Sequence, residues 1–587
     1  MRVLFLIRRA DFIDPMGLCY LSAAAKQEGH ETDLTVIEAS DVFQKIRDYK
    51  PDVVAYSAVT GEHQSYFNFN KELMAAFPNV FTIMGGAHPT YYSECVNYQP
   101  IHAIAVGEGE GVFAELLNRL EKKLDIKDIL NLGTKDGGMN KKRDLIGDLD
   151  SLPFPDRDLL FANTEIGRLP LKTFITSRGC PFPCTYCFEP VLKKMYREEK
   201  ALGPAQVLDA KTGRKSGKYE RRHSPERVCE EVNRVKSKWR VDFIKFEDDL
   251  FVLHVDSWLE EFVKIYPKQV GIPFNALVRV DSISEDMLKL LKEAGCVSLN
   301  VSADHANMEV RKRIIKKKFT NQDVIDKFRM AERYGIGIFN NMILGVPDST
   351  IEDDRDAVRL DIAAGVKFSS FSILVPYPGT EIGKYCEDKG YYKMDPDTFS
   401  ESLLERSMLS CFSEKEKNQQ QNILFLGGLA LFIGNMATWF GRKMHKLGFC
   451  GKPIDWVFQK LCHSIVEFIL NPMVNWFKPN RVYAAIYFTI KSLTLKYYIY
   501  TFEIRVREIL FYWLKGFRIE ILRTMPEISK GTTYPAAGGD IVKKGSAPTI
   551  THPGFTNYEY KTGSRKSNGL FAKTKRYLKK LSERCGG

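Results

Sequence analysis

The sequence predicts an α/β protein with two successive parallel sheets, followed by a mostly α-helical C-terminal region. Short apolar strands alternate with helical stretches over residues 1 to about 125. The same pattern returns at Leu171 and continues for about 220 residues in six strand-then-helix units. This alternation indicates a doubly wound sheet and then a parallel barrel, whose ligand sites lie at the carboxyl ends of the strands.

With 587 residues the chain is too long for one hydrophobic core, so several domains are expected. We predict a first sheet domain at 1–130, a linker at 131–165, a second parallel domain at 166–400, an aromatic-rich helical domain at 401–525 and a disordered basic tail at 526–587. The twelve Cys residues cluster at one point and are scattered elsewhere, which fits a metal site in a reducing cytoplasm better than a disulfide scaffold.

The elements of the first domain follow from its apolar periodicity. The run from Met1 to Arg9 is too short for a signal peptide and predicts a buried first strand. The predicted strands are residues 3–7, 31–37, 53–57, 80–84 and 103–106. The predicted helices are residues 17–28, 41–49, 63–76 and 111–121.

Three Gly-containing loops follow the third, fourth and fifth strands, and Gly permits close backbone approach to a ligand. We therefore predict that these loops bind a cofactor, although a lone His such as His88 is more often a satisfied loop residue than a ligand. The candidate residues are Ser57, Thr60, Gly61, Gly85, Gly86, His88, Pro89, Thr90, Gly107, Glu108 and Gly109.

Three thiols, Cys180, Cys184 and Cys187, lie in one turn-rich segment after the first strand of the second domain. A structural zinc site needs four protein ligands, and Cys229 is the nearest further thiol. A cubane iron–sulfur cluster held by three thiolates keeps one iron free for an outside ligand. We therefore predict a cluster bound by these three Cys residues, with zinc or incidental thiols as the alternatives.

The spacing of these thiols, with Tyr186 before the third, resembles the signature of the radical S-adenosylmethionine (radical SAM) superfamily. The resemblance implies a [4Fe–4S] cluster whose open iron chelates SAM and cleaves it to a 5′-deoxyadenosyl radical. It also implies a partial barrel of six parallel strands, and an electron donor that is a reductase, a ferredoxin or a flavodoxin.

The Gly loops, in this order, resemble the cobalamin-binding domain that precedes many radical SAM domains. Cobalamin would then lie between the first sheet and the mouth of the barrel. The loop at 11–17 lacks the His that ligates cobalt in cobalamin mutases, so we expect a lower face without a His ligand. The alternative is a flavodoxin-like domain that has the same loops and no cofactor.

The resemblance also assigns residues at the strand ends of the barrel. Glu247 and Asp248 correspond to positions that contact the SAM amino group or the substrate, and Arg279 corresponds to a cation that meets the SAM carboxylate. Gly345 and Pro347 match a sequence motif of the family that passes beside the adenine of SAM. Ser302 replaces the Glu that many relatives carry on the fourth strand. Asp281 is predicted to cap the following helix.

Two segments, one before the barrel and one within it, have compositions that do not predict regular elements. Residues 126–165 are rich in Pro, Gly and Asp, which predicts an extended linker without regular elements. A basic insertion at 192–222 is interpreted as a lid or a loop that orders on binding.

The basic character of the chain is concentrated in its C-terminal third. Residues 422–587 hold 26 Lys and Arg and 9 Asp and Glu, a net +17, so the remainder of the +12 chain carries −5. Aromatic residues interleave with these cations, which favours peripheral contact with the inner face of a membrane over nucleic acid. The uncharged run at 422–440 is at the short end for a bilayer span, and a plain helical bundle is the alternative.

These features predict a cobalamin-dependent radical SAM enzyme that methylates an unactivated carbon of a hydrophobic small molecule, such as a lipid, a terpenoid or a tetrapyrrole. One alternative is oxidative cyclisation or rearrangement without methyl transfer. An alternative of another class is a non-catalytic iron–sulfur or corrinoid carrier, for which Cys229 would supply a fourth cluster ligand.

Overall fold

The computed structural model describes residues 1–10, 14–203, 219–393, 395, 399, 406–446, 473–475, 483 and 486, with side chains in the long C-terminal helix described up to Gly434. All of them belong to one compact unit, Met1–Ile550. The predicted fold class is confirmed: a parallel N-terminal sheet precedes a second, six-stranded parallel sheet and a helical segment.

The first sheet has the strand order β2-β1-β3-β4-β5-β6-β7, and β1 to β5 are parallel. Because the order reverses between β1 and β3, the crevice at their carboxyl ends is the expected ligand position. The strands are β1 (Arg2–Ile7), β2 (Glu31–Val36), β3 (Val53–Ser57), β4 (Phe81–Gly85), β5 (Ala103–Ala105), β6 (Leu132–Thr134) and β7 (Gly138–Met139). The helices are α1 (Met16–Gln27), α2 (Val42–Tyr49), α3 (His63–Ala76), α4 (Ala87–Tyr91), α5 (Cys95–Tyr98) and α6 (Glu110–Glu121).

The predicted linker contains regular elements, so the prediction of an extended segment was wrong. Strands β6 and β7 add antiparallel to the edge of the first sheet, with Gly133 opposite Met139. A short helix, α7 (Arg157–Phe161), follows, and Asp156 caps it. The pairing partner of β6 is β5, which lies some thirty residues earlier, and local Gly and Pro content does not reveal such a partner.

The second sheet has the order β15-β14-β13-β12-β11-β8 with every pair parallel, which is the predicted six-stranded partial barrel. Its strands and the short ribbon beside them are β8 (Leu171–Phe174), β9 (Ser177–Arg178), β10 (Arg221–Arg222), β11 (Phe243–Phe246), β12 (Phe274–Leu277), β13 (Cys296–Asp304), β14 (Gly337–Leu344) and β15 (Phe368–Ile373). The helices are α8 (Glu189–Glu198), α9 (Pro225–Lys238), α10 (Ser257–Gln269), α11 (Glu285–Ala294), α12 (Met308–Val310), α13 (Asn321–Arg333), α14 (Ile351–Ala364) and α15 (Glu381–Asp388).

The helix starts of the barrel are set by side-chain caps. Thr350 and Asp353 form a capping box at the start of α14. The predicted cap Asp281 does not cap α11; the Met287 amide instead donates to the Ser284 hydroxyl, and Asp281 pairs with Arg279. Asp281 lies too far before the helix to reach its first amides, since a cap contacts the second or third helical N–H.

A buried ion triad connects the two sheets. The Arg157 guanidinium in α7 lies 3.0 Å from an Asp14 carboxylate oxygen and 2.8 Å from a Glu231 oxygen, and it also donates to the Thr173 carbonyl. All three charged side chains are buried. Burial of an unpaired charge is costly, so Arg157 fixes the segment before α1 and helix α9 onto the start of the barrel.

The uncharged run at 422–440 belongs to a long helix, α16 (Glu414–Lys446), that packs against β15 and α14. Phe425 and Leu426 are each 1% exposed, and the Cβ of a residue larger than Gly at 427 would lie 2.6 Å from the Phe371 ring. Within the described residues no helix is long and apolar enough to cross a membrane. The apolar run that suggested a bilayer span therefore covers the open edge of the second sheet.

The other C-terminal predictions lie outside the described residues. They concern the aromatic segments at 456–477, 482–500 and 502–525, apart from the few positions given above, and the tail from 526. Part of the basic insertion, residues 204–218, also lies outside them. Its ends are described: α8 begins the insertion, and β10 pairs antiparallel with β9.

The packing of α16 predicts a difference between two Phe residues on one helix. Phe425→Ala should lower the free energy of unfolding by about 3–5 kcal/mol, because it leaves a cavity against the barrel. The matched variant Phe432→Ala, at a position that is 52% exposed, should change it by no more than about 0.5 kcal/mol. Urea unfolding of both proteins measures the difference, and equal effects would contradict the packing.

Candidate active site

The three predicted cluster ligands lie together in the loop between β9 and α8, at the carboxyl end of β8. All three are free thiols, with Cys184 buried and Cys180 and Cys187 partly buried. Burial raises the pKa of Cys180 and of Cys187 to about 12. Thiolates in this loop therefore need a compensating positive charge, which a cluster iron supplies when it binds.

Arg279, just after β12, reaches this loop. Its guanidinium donates to the Cys184 sulfur at 3.4 Å and to the Asp281 carboxylate at 2.9 and 3.0 Å, and it lies over the Phe182 ring. The structure thus brings Arg279 to the cluster loop from a strand about one hundred residues away. Its predicted contact with the SAM carboxylate stays a prediction, and Asp281 already occupies the Nε and Nη2 side of the guanidinium.

The donor set fits a cubane cluster with one open iron. Three thiols and no fourth Cys lie in the loop, and Cys229 is buried in α9, away from it. Within the described residues no three or more His, Cys, Asp or Glu side chains converge as ligands of one metal ion. Each thiolate of a cubane instead binds a different iron.

Asp248 supports the Cys loop rather than facing a ligand. One of its carboxylate oxygens accepts hydrogen bonds from the Thr176 amide at 2.8 Å, the Thr176 hydroxyl at 3.1 Å and the Ser177 hydroxyl at 2.6 Å. Burial raises its pKa to about 6, although these donors favour the ionised form. The predicted contact of Asp248 with SAM would have to use its other oxygen, which is buried and has no partner among the described residues.

A cavity of about 460 Å³ lies between the two sheets at their carboxyl ends. One wall consists of the Gly loops of the first sheet, and the other contains Arg178 and Gly179 of the Cys loop. Eight predicted cofactor residues line it: Ser57, Gly85, Gly86, Thr90, Gly107, Glu108, Gly109 and Glu247. The lining does not include Thr60, Gly61, His88, Pro89, Asp248, Arg279, Gly345, Pro347 or the three Cys residues.

Two of the lining glycines are required by geometry. Gly86 has φ +94°, and a Cβ there would lie 2.7 Å from the Ala58 carbonyl oxygen. Gly107 has φ +76°, and a Cβ there would overlap the Tyr196 hydroxyl. Both glycines are therefore required by close contacts with neighbouring protein atoms, and both lie in the first-sheet wall of the cavity. A wall that carries no side chain at these two positions fits a corrinoid.

His88 is a satisfied buried residue in this structure. Its ring stacks on His63 with centroids 3.8 Å apart, and it shares a hydrogen bond of 3.1 Å with the Thr60 hydroxyl. Burial, together with His63, lowers its pKa to about 3, so the imidazole is neutral. Its contacts agree with the alternative of an ordinary loop His.

Arg178 joins the Cys loop to the Gly-Glu-Gly-Glu loop of the first sheet. Its guanidinium lies 3.1 Å from Glu108 and 2.5 Å from Glu110, and Arg221 contacts Glu108 at 2.8 Å. Burial opposes ionisation of Glu110, but Arg178 outweighs it and holds the pKa of Glu110 below its ordinary value. The two carboxylates in turn raise the pKa of Arg178 despite its burial.

Two acidic residues that the sequence interpretation missed also line the cavity. Burial and the neighbouring Glu189 raise the pKa of Asp249 to about 7, and burial raises the pKa of Glu189. The Cys180 amide donates to Glu189 at 3.0 Å. The sequence could have indicated both residues, because Glu189 follows the third Cys by two positions and Asp249 follows Glu247 by two positions. Arg221 has no comparable local signal.

The remaining predicted positions lie around the barrel mouth. The Gly345 amide donates to Asp354 at 3.1 Å in a turn with φ +66°, and Pro347 is buried two residues later. On β13, the fourth strand of the second sheet, where Ser302 replaces the Glu of many relatives, the acidic residue is Asp304. Asp304 is buried and accepts hydrogen bonds from the Tyr186 hydroxyl at 3.1 and 3.2 Å.

The cluster assignment predicts how single Cys variants behave. Replacing Cys180, Cys184 or Cys187 by Ala should abolish cluster binding, because each thiolate holds one iron. Cys229→Ala should retain it, since that thiol is packed in the helical layer. The amounts of iron and sulfide bound per chain after anaerobic reconstitution measure cluster binding in all four variants. Loss of the cluster in Cys229→Ala would favour a four-Cys electron-transfer site.

The ion pairs of Arg178 predict a stability effect with an internal check. Arg178→Met should cost about 3–5 kcal/mol of unfolding free energy, because it leaves Glu110 buried and unpaired. Adding Glu110→Gln should restore part of the loss by removing that charge. Arg168→Met, which breaks an exposed pair with Glu165, should cost less than about 1 kcal/mol. Urea unfolding at neutral pH compares the three, and an Arg178→Met cost no larger than the Arg168→Met cost would contradict the buried pairing.

Comparison with known proteins agrees with this geometry. Residues 3–117 match the B12 binding domain, and residues 174–360 match the Radical SAM superfamily. The chain is 30% identical over 384 residues to Uncharacterized methyltransferase PH0819 of Pyrococcus horikoshii, a match that covers 63% of this chain and 78% of that protein. It is 22% identical over 485 residues to the Anaerobic magnesium-protoporphyrin IX monomethyl ester cyclase of Rubrivivax gelatinosus, covering 74% and 81%.

A solved structure with the same fold is that of the cobalamin-dependent S-adenosylmethionine radical enzyme OxsB with aqua-cobalamin bound. Its TM-score is 0.58 at 15% identity, over 90% of this chain and 80% of that one. These matches place the chain in the radical SAM superfamily, among the enzymes that carry a B12-binding domain and use a [4Fe–4S] cluster, SAM and cobalamin as cofactors.

Proposed function

We propose that the enzyme transfers a methyl group to an unactivated carbon of a hydrophobic small molecule. The observation that carries the proposal is the single cavity whose walls are the Gly loops of the first sheet and the Cys loop of the barrel. When bound, the cofactors supply a radical that can abstract hydrogen and a methyl group that can be transferred. A shared cavity would hold both near one substrate.

The protein's own residues would orient these groups and exclude water. Leu21, Ile83 and Phe113 line the first-sheet wall, and Ile175 and Leu192 line the barrel wall. An apolar lining of this kind protects reactive species from solvent and strengthens the polar contacts that remain. Cys180, Cys184 and Cys187 would hold the cluster, and the Gly loops would hold the corrinoid by backbone contacts.

The carboxylates of the cavity would bind the polar end of SAM. Glu247 and Asp249 leave β11 two positions apart, and both line the cavity. A carboxylate accepts charge-assisted hydrogen bonds from an ammonium group. With a pKa of about 7, Asp249 can also hold a proton at neutral pH. We therefore add Asp249 to Glu247 as a proposed SAM contact.

Relatives support methyl transfer and keep cyclisation as a second candidate. The relative at 30% identity is named a methyltransferase, whereas the relative that covers 74% of this chain is named a cyclase. Both reactions would begin with hydrogen abstraction and differ in the bond that the substrate then forms. Methyl transfer is preferred because a corrinoid bound by the Gly loops would lie against the Cys loop, where a methyl group could reach the substrate radical.

The hydrophobic substrate and peripheral membrane contact rest on the composition of the C-terminal third. That region is basic and rich in Trp, Tyr and Phe. A segment of this composition suits an apolar substrate that partitions into a membrane interface. Co-sedimentation with anionic vesicles, with and without residues 487–587, a deletion that keeps α16 on the barrel, would test the contact, and equal binding of the two chains would contradict it.

Product analysis tests the proposed reaction. The reconstituted, reduced enzyme should release 5′-deoxyadenosine from SAM, and addition of a substrate should transfer a labelled methyl group from SAM to it. Cys184→Ala is the control, and it should release neither product. Release of 5′-deoxyadenosine with a modified but unlabelled substrate would favour cyclisation, and no release from a protein with an intact cluster would contradict a radical reaction.

A further inference from the structure

A strongly basic segment follows α12 and belongs to none of the sites described above. Residues 311–318, here called the basic segment, contain six Lys and Arg in eight positions. The segment begins with one π-helical turn, Arg311–Ile315, and Lys316 then adopts a left-handed conformation with φ +66°. The turn divides the segment into an inner and an outer face.

The inner face is buried and bonded to the end of β13 and to the turn that follows it. Arg311 is 0% exposed and donates to the carbonyls of His305 at 2.7 Å and Phe319 at 2.9 Å. Lys317 is buried, lies 2.6 Å from an Asp304 oxygen and donates to the Ser302 carbonyl. These two cations fix the backbone of the segment to the end of β13.

The inner face also touches the Cys loop directly. The Thr185 hydroxyl, between the second and third cluster ligands, donates to the Ile314 carbonyl at 2.6 Å. The Thr185 amide donates to the Ile315 carbonyl at 3.4 Å. Tyr186 bonds to Asp304, the partner of Lys317. The main chain of the basic segment therefore lies against the loop that holds the cluster.

The outer face carries four exposed cations: Lys312, Arg313, Lys316 and Lys318. Arg313 pairs with Asp348 and Lys316 with Glu381, and the cations of these pairs are 61% and 41% exposed. Exposed pairs of this kind are weak. Across the described part of the chain, Lys312 and Lys318 form no ion pair with a carboxylate.

We propose that the outer face of the basic segment is the docking site of an acidic one-electron donor protein. The transfer moves one electron from the donor, which is oxidised, to the cluster, which is reduced, and no covalent bond changes. Complexes of this kind have small, transient interfaces, and opposite charge raises their rate of association. The outer face supplies the charge opposite to that of an acidic donor, and the main chain beneath it lies against the loop that holds the cluster.

The arrangement of apolar residues favours a protein donor over a membrane. A segment that binds an anionic membrane places apolar side chains beside its cations on the exposed side. Here Ile314 and Ile315 are 6% and 0% exposed and pack in a buried cluster against which Tyr186 also lies, so within residues 311–318 the outer face has charge and no apolar side chain.

Cluster reduction by two different reductants tests the proposal on the reconstituted full chain. Reduced flavodoxin is the acidic protein donor, and reduced methyl viologen is the small one. The double variant K312E/K318E should be reduced by flavodoxin at least about tenfold more slowly than the wild type at low salt. The difference should narrow as salt screens the charges. Reduction by methyl viologen should not slow, and K312R/K318R should match the wild type.

A matched charge change elsewhere provides the control. K127E/K135E alters two exposed loop lysines of the first domain by the same total charge and should leave the flavodoxin rate within about twofold of the wild type. Equal flavodoxin rates for K312E/K318E and the wild type would overturn the proposal. So would equal slowing with both reductants, which would assign the segment to positioning the Cys loop, or loss of anionic-vesicle binding with unchanged flavodoxin reduction.

Discussion

The placement of Arg178 between Glu108 and Glu110 is the interaction on which the rest of the site depends. Arg178 lies two residues before the first of the three predicted cluster thiols, and the carboxylates lie in the Gly-Glu-Gly-Glu segment at the start of α6. One partly buried guanidinium thus connects two segments that are about seventy residues apart in sequence. Because Glu110 is buried, separating them would leave its charge unpaired at a cost of several kcal/mol. The Tyr196 hydroxyl, which accepts from the Glu108 amide at 3.2 Å, reinforces the same contact from α8.

The three carboxylates that follow β11 at the barrel mouth have two different environments. Glu247 and Asp249 line the cavity, whereas Asp248 accepts hydrogen bonds from Thr176 and Ser177. Asp248 therefore supports the Cys loop from behind. Asp304 has a similar supporting role, since it joins Tyr186 of the Cys loop to Lys317. The loop is held by charged groups on both sides before any cofactor binds.

Periodicity and residue type predicted most of the fold. The strand Val53–Ser57 and the helix His63–Ala76 have the predicted bounds, because apolar spacing and local breakers determine both. The family resemblance carried by the glycine loops and the Cys spacing predicted a cofactor between the first sheet and the barrel mouth, and the structure has a cavity there. The contact of Asp248 with SAM stays a prediction, and Asp249, which lines the cavity two positions after Glu247, was not among the predicted residues.

Long-range pairing accounts for what the sequence could not predict. Strand β6 exists because β5 offers it an edge, and Arg221 reaches Glu108 across more than one hundred residues. The apolar run of α16 is uncharged, and the burial of Phe425 and Leu426 and the fit of Gly427 against Phe371 show that it covers the barrel. Hydropathy measures how favourably a segment leaves water, and it does not distinguish burial in lipid from burial in a protein core.

The cavity between the Gly loops and the Cys loop is proposed to hold cobalamin beside the cluster. Electron paramagnetic resonance of enzyme reconstituted with both cofactors, with cobalt as cob(II)alamin and the cluster reduced, tests it most directly. A shared cavity predicts a dipolar interaction between the two spins that broadens or splits both signals. Two unperturbed signals, each identical to that of enzyme containing only one cofactor, would contradict the account.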